Sequence, residues 1–241
     1  GKMQHPYAAA YKAGWNLAEE FVNMFIGHGG EFFKAGTAEP NINNAKGVAT
    51  LNMLKKLASL SNPDYLTHDS EAIKVEWESG KVALMTLWAS RSGTLLDDEG
   101  DAKITAATKL TGPATVGGGN IPAATLWWDG FTLAKNRSDS DAEATFIALA
   151  HAASNKKMVA DAADQAVWLV EGFVPGPKSI GVIEAVKMGA KPYPMLPQMG
   201  LMHGALGSEI VEFLQGKESA EQALKDVEAA YISKAKEQGF L

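Results

Sequence analysis

Apolar residues recur along most of this chain at helical spacing, interrupted by short runs that read as strands. Trp15, Ala18, Phe21, Val22 and Phe25 return every three or four residues, the interval of one helix face, and predict a helix over Trp15–Ile26. Gly27-His28-Gly29-Gly30 ends it, because glycine accepts the left-handed backbone of a C-cap. Val48, Leu51, Leu54, Leu57 and Ala58 predict a second helix over 44–60, capped by Asn43 or Asn44 and closed by Asn62-Pro63. Lys55 and Lys56 favour the negative end of its dipole. Asp69 or Ser70 caps a shorter helix through Glu78, stopped at Gly80. The continuous apolar run Val82–Trp88 reads as a buried strand, Lys103–Thr108 as a second, and Ala124–Ala134 as a third, interrupted at Asp129-Gly130. Glycines and prolines make 112–122 a loop. Helices then follow over 138–154 (capped by Ser138 or Asp139), 156–170 and 179–188. Lys191–Pro197 is extended by its prolines. The last two helices span 206–214 and 219–236, the second opened by a Ser219/Gln222 capping box. The pattern is helix-rich α/β.

The length of 241 residues fits one large domain or two small ones, at about 150 residues per domain. With 46% hydrophobic and 21% charged residues, the chain has the composition of a folded core rather than of disorder. A net charge of −6 and the lack of a Lys/Arg run argue against nucleic acid as a partner. Cysteine is absent, which excludes disulfides, thiol nucleophiles and thiolate metal sites and suits an oxidising compartment. Apolar runs all fall short of the roughly 18 residues that would predict a membrane span. Gly1-Lys2-Met3-Gln4-His5-Pro6 has no apolar segment behind it, so a signal peptide is not expected, and Met at the third position leads us to expect a processed or trimmed product.

The order of several short segments carries a family resemblance. Trp77-Glu78-Ser79-Gly80-Lys81-Val82-Ala83-Leu84-Met85 leading into Trp88-Ala89-Ser90 resembles a segment of the family-1 extracellular solute-binding proteins, the substrate receptors of ABC importers. Trp127-Trp128-Asp129-Gly130-Phe131-Thr132-Leu133-Ala134 is similar to their crossover strand, and Ser138–Ser154 to the helix after it. Phe173-Val174-Pro175-Gly176, Pro192–Met199 and Ser219–Tyr231 resemble, in order, their Gly-x-x-Pro turn, late Pro-rich return and terminal helix. The resemblance implies an α/β, periplasmic-binding-protein-like (type II) fold. Family members are longer and begin with a first lobe. It therefore implies a nearly complete, discontinuous C-terminal lobe (1–128 and 190–241) and a remnant of the N-terminal lobe (130–185). It further implies capture of a sugar or polyol in an interlobe cleft and delivery to the transmembrane subunits of an ABC permease. The expected protein is a monomer without cofactor, periplasmic or held outside the cell at the membrane.

Candidate ligand contacts follow from chemistry that suits sugars: flat apolar faces for C–H surfaces and directional polar groups for hydroxyls. Trp88 ends a predicted strand and is either a stacking residue or a core tryptophan. Trp127 and Trp128, adjacent on an extended segment, point to opposite faces, so one can meet the cleft while the other packs the core. Asp129-Gly130 suits a hinge or a β-bulge. Arg91 either grips an acidic or hydroxylic ligand or is solvated. Trp15, Asn16, Glu19 and Glu20 open the first helix, a region from which the family often draws a contact. Met202 and His203 follow the Pro-rich return, where the resemblance implies ligand contacts and core packing is the alternative.

Enzyme readings find less support. The histidines show no metal-ligand spacing, Gly117-Gly118-Gly119-Asn120 lacks the Lys and Ser/Thr of a phosphate loop, and no G-x-S-x-G elbow occurs. Asp97-Asp98 and Glu19-Glu20 are carboxylate pairs by adjacency alone. An unrecognised α/β hydrolase-type enzyme and a fragment without a ligand stand as the rival readings.

Overall fold

Capping side chains fix where most helices begin, and the apolar stripes behind the caps decide what each helix packs against. The computed structural model describes residues 3–97, 100–154 and 156–241. A two-residue strand, β1 (Tyr7–Ala8), is followed by α1 (Trp15–Gly27), which ends as Gly29, at a φ of +70°, lets the N–H of Gly30 reach the carbonyl of Phe25. Asn44 accepts from the N–H groups of Lys46 and Gly47 to open α2 (Ala45–Ala58), and Asp69 accepts from Ala72 to open α3 (Ser70–Glu78). Then come β2 (Leu84–Met85), α4 (Ala89–Ser92), α5 (Ala102–Ala107) and β3 (Thr125–Leu126). Ser138 Oγ accepts from the N–H of Asp141 at the head of α6 (Asp139–Ser154). The chain continues through α7 (Lys156–Asp161), α8 (Ile180–Lys187), β4 (Lys191–Pro192), α9 (Met199–Leu214) and α10 (Ala220–Glu237). Ser219 caps α10 on the N–H of Gln222, whose own side chain turns to Asp226 instead of closing the capping box.

The core lies among α1, α2, α9 and α10. Phe21 and Phe25 stack with ring centroids 5.5 Å apart and, with Leu51, Leu54, Met202, Leu206, Leu224 and Tyr231, are sealed from solvent. Each such side chain contributes about 1.5–3 kcal/mol. Glu228 of α10 ties the entry to α2 by accepting from the N–H groups of Ile42 (3.0 Å) and Asn43 (2.9 Å). Glu228→Ala leaves the N–H of buried Ile42 unpaired and is expected to lower the unfolding free energy by about 2 kcal/mol, read from urea denaturation. Two separate parallel pairs form the sheet structure: β1 with β2 (Tyr7 opposite Leu84) and β3 with β4 (Thr125 opposite Lys191).

Several expectations are corrected. Val82–Trp88 is not a buried strand. Its ladder is two residues long, and Leu84 is exposed, because β2 has a neighbour on one edge only. Lys103–Thr108 is helical in α5: Asp101 accepts from the N–H of Lys103 and opens a turn that the β-branched residues had masked. The strand predicted over Ala124–Ala134 stops at Leu126, and residues 127–134 belong to no helix or strand. The helix predicted over 156–170 ends at Asp161, its start adjoining position 155, outside the described residues. The helix predicted from 206 begins at Met199, directly after the prolines.

Candidate functional site

Segments far apart in sequence bring aromatic rings to one place beside the N-terminus of α1. Trp15, the first residue of α1, meets Trp88 edge-on at 5.2 Å between centroids, Trp127 at 5.9 Å and His203 of α9 at 4.9 Å. Tyr193, just after β4, lies 4.3 Å from Trp127 and 5.8 Å from His203. His203 is locked at both nitrogens. Its Nε2 lies 3.0 Å from the backbone oxygen of Trp15, which can only accept, so Nε2 carries the hydrogen and Nδ1 accepts from the Tyr193 hydroxyl at 2.9 Å. Burial also lowers the pKa of His203, favouring this neutral form.

Trp15, Tyr193 and His203 line a cleft of about 350 Å³ together with Gly14, Gly200 and Gly204, and Trp88 and Trp127 pack against the Trp15 ring beside it. Its geometry depends on close helix packing. The N–H of Gly14 donates to the carbonyl of Gly207 at 3.0 Å, and a Cβ at Gly207 would stand 2.3 Å from the oxygen of Gly14. That contact sets Trp15 against His203, one turn earlier on α9. Trp15 and Trp127 are each 49% exposed, so their rings are open to a ligand.

Beneath Trp127 sits a buried polar group. Its indole Nε1 donates to Thr125 Oγ1 at 3.0 Å, which lies 2.8 Å from Glu19 Oε1 and 2.8 Å from Asn23 Oδ1. Burial pushes the Glu19 carboxyl up to about 7, although Thr125, Trp127 and Asn23 pull it down. Glu20, next along α1, is pushed up to about 8 by burial and then by the charge of Glu19.

The predicted contacts separate on this geometry. Trp15, Trp88, Trp127 and His203 converge. Asn16, half-buried in the first turn of α1, adjoins them in sequence. Trp128 does not join: it is exposed, and its ring folds over Gly130 rather than into the core or the cleft. Glu20 and Met202 are corrections, being sealed inside and out of a ligand's reach; on α9, Met202 turns to the core where its neighbour His203 turns to the cleft. The guanidinium of Arg91 pairs with Glu71 and lies 5.7 Å from the centre of the Trp88 ring, so it braces that ring and its charge is already engaged. Asp129 and Gly130 are exposed and lie outside any helix or strand. In the pair Asp97-Asp98, Asp97 bonds Lys178 at 2.5 Å, and Asp98 lies outside the described residues. No helix follows the glycines at 117–119. Sequence reasoning missed Tyr193; its signal was an aromatic ring set between Pro192 and Pro194 on extended backbone.

A larger depression, about 790 Å³, lies between the 31–39 loop, Pro194 and Phe240. Phe32 and Phe33 on its wall are turned into the core, so it offers little aromatic surface. Among the described residues no cluster suits a metal ion, and no helix is long and apolar enough to cross a membrane.

No protein-family model and no curated protein sequence matches the chain. Solved structures do. An ABC transporter solute-binding protein from Agrobacterium radiobacter, in complex with ribitol, is 18% identical and superposes with a TM-score of 0.76 over 94% of this chain and 58% of its own. Maltose-bound MalE3 of T. maritima is 16% identical, with a TM-score of 0.77 over 94% and 60%. An ABC transporter solute-binding protein from Agrobacterium vitis with bound D-mannitol is 16% identical, with a TM-score of 0.67 over 98% and 62%. The chain has the periplasmic-binding-protein-like fold of ABC-transporter solute-binding proteins, and it spans about three-fifths of the length of the structures it matches.

Proposed function

We propose that this chain forms most of one lobe and part of the other of a solute-binding receptor for an ABC importer, and that it captures a neutral sugar or polyol on the wall of Trp15, Trp88, Trp127 and Tyr193. The observation that carries this reading is that Trp15, Tyr193 and His203 line one open cleft while Trp88 and Trp127 pack against the Trp15 and Tyr193 rings beside it. Indole and phenol faces match the C–H surface of a sugar ring. The nearest charges are engaged or sealed, Arg91 by Glu71 and Glu19 by burial, which favours an uncharged solute over an acid. Proteins of this fold are solved with ribitol, maltose and D-mannitol, which points the same way.

In this reading residues 1–128 and 190–241 form the larger lobe, 130–185 belong to the second, and Asp129-Gly130 is the crossing where the lobes hinge. The exposed apolar side chains of Phe131, Phe146, Ile147 and Val174, all within 130–185, support the division, since the remainder of a second lobe would cover such surface. The setting is the periplasm and the partner is the pair of transmembrane permease subunits, which would read the closed form. A hydrolase is disfavoured because His203, the buried histidine of the cleft, bonds the Tyr193 hydroxyl and the backbone oxygen of Trp15 rather than a serine and a carboxylate, so the pairing of a triad is not built on it.

Calorimetric titration with ribitol, D-mannitol, maltose and maltotriose tests the reading. At least one is expected to bind, and Trp127→Ala is expected to weaken it about ten-fold through loss of one stacking face, while Trp128→Ala changes little. No binding of any of the four, by this chain or by a form extended at its N-terminus, would overturn it.

A further inference from the structure

We propose that Glu19 is a positioning residue of the ligand platform: its carboxyl carries a proton that it donates to Thr125 Oγ1, and this bond holds the indole of Trp127 in place. The proposal rests on the reading of Trp127 as a ligand-stacking ring.

The Thr125 hydroxyl is the hub, with three polar groups and a limited number of hydrogens around it. Thr125 Oγ1 receives the Trp127 Nε1–H at 3.0 Å, and it has a single hydrogen of its own. Two further oxygens stand at hydrogen-bond distance, Glu19 Oε1 and Asn23 Oδ1, each at 2.8 Å. Thr125 can donate to one of them. The other contact is favourable only if the partner brings a hydrogen, and Asn23, with Oδ1 and not its NH2 facing Thr125, brings none. A protonated Glu19 supplies it, and Thr125 then donates to Asn23, giving a chain in which every short contact is a bond.

A second, independent observation agrees. Glu19 is 1% exposed, and its other oxygen, Oε2, is buried with no partner. An ionised carboxylate would bury half its charge against nothing, whereas a neutral acid leaves only a carbonyl-like oxygen unpaired. The groups that face it offer no cation. They are Glu20 and Asn23 on its own helix, Thr125 of β3, Trp127, Tyr193 after β4, and His203 of α9, held neutral. No Lys or Arg pairs with Glu19 among the described residues.

Loss of the proton reverses the chain. Thr125 must then donate to Glu19, Asn23 Oδ1 loses its hydrogen, and the indole N–H, already 3.4 Å from Glu19 Oε1, is drawn towards the new charge. The platform turns, and affinity for a stacked solute falls. If only the protonated form is competent, with the carboxyl titrating near 7, apparent affinity drops about ten-fold between pH 6 and 8.

The test needs no ligand. In ¹⁵N-tryptophan-labelled protein, the indole resonance assigned to Trp127 is followed from acidic to alkaline pH in the wild type and in Glu19→Gln, whose amide is a permanent donor to Thr125. The expected result is a wild-type titration centred near neutrality that is lost in Glu19→Gln, with the variant's resonance held at the acidic position. A Trp127 signal that stays flat in the wild type, or that titrates equally in Glu19→Gln, would overturn the proposal; the second outcome would place the proton on Glu20 or His203. Failure of every sugar to bind, with the indole titration intact, would reject the receptor reading and leave Glu19's role in holding Trp127 standing.

Discussion

Gly207→Ala is expected to lower the unfolding free energy by about 3 kcal/mol and to disorganise the aromatic cleft at the same time. The added Cβ would lie 2.3 Å from the carbonyl oxygen and 2.6 Å from the carbonyl carbon of Gly14. Both are backbone atoms, so no side chain can rotate aside. Gly14 itself holds a φ of +97°, a conformation that suits glycine and resists adjustment. Relief requires α1 and α9 to separate, which breaks the 3.0 Å bond from Gly14 N–H to Gly207 and the 3.0 Å bond from His203 to Trp15. Two readouts should move together: the urea midpoint, and the near-UV circular dichroism of the Trp15–Trp88 pair. Gly200→Ala is the control. It lies on the same helix with open space at its Cβ, and alanine there should be neutral or stabilise by up to about 1 kcal/mol. Equal midpoints for the two variants would show that the Gly14–Gly207 approach does not govern the site.

The parts legible in the sequence were those set by neighbouring residues. Asn44, Asp69, Ser138 and Ser219 each cap a helix through a bond spanning two or three residues, and of the α1 stripe Ala18, Phe21, Val22 and Phe25 are buried as its spacing requires, while Trp15 at its head is half-exposed and α1 is buried well beyond that one face. The failures share a cause: the deciding contact was remote or weak. Val82–Trp88 had strand chemistry, but a strand is as long as its partner allows, and β1 offers two residues. Lys103–Thr108 is too short to show a period, so the cap at Asp101 outweighed its β-branched residues. In the site, the tryptophans stood out by type, and Trp15, Trp88 and Trp127 do converge. Their company did not stand out. Tyr193 reaches His203 within one return of the chain, but His203 meets Trp15, and Tyr193 meets Trp127, across much longer stretches of sequence. Glu19 and Glu20 looked equivalent as neighbours on a helix. About 100° of helical rotation sends one under Trp127 and the other towards Tyr7 and Tyr11, a difference only the packed bundle decides.

That buried carboxylate pair should dominate the pH dependence of stability. The group to alter is Glu20, 6% exposed and held at about 8 by burial first and by Glu19 second. In the unfolded chain a glutamate loses its proton near 4.5, whereas the native protein retains this one until about 8. Between those values the unfolded state binds fewer protons, so stability falls as pH rises, by on the order of 3–5 kcal/mol over the window. Glu19 adds a slope of the same sign that ends near 7. His203 acts oppositely: burial lowers its pKa, so its contribution is lost as pH falls below its unfolded value of 6.5. Two falling slopes outweigh one rising slope, so the contribution of these three groups should be greatest at or below about pH 4.5 and decline from there to about pH 8. Glu20→Gln keeps the shape and removes the titration. It is expected to match the wild type at about pH 4, where the glutamate is protonated in both states, and to exceed it by at least about 2 kcal/mol at pH 8, with the residual decline ending near the Glu19 value. Urea denaturation of both proteins at the two pH values measures this directly. Parallel losses in wild type and variant would mean that Glu20 is already ionised in the native bundle, and that the space around Tyr7 and Tyr11 tolerates a charge that its burial should exclude.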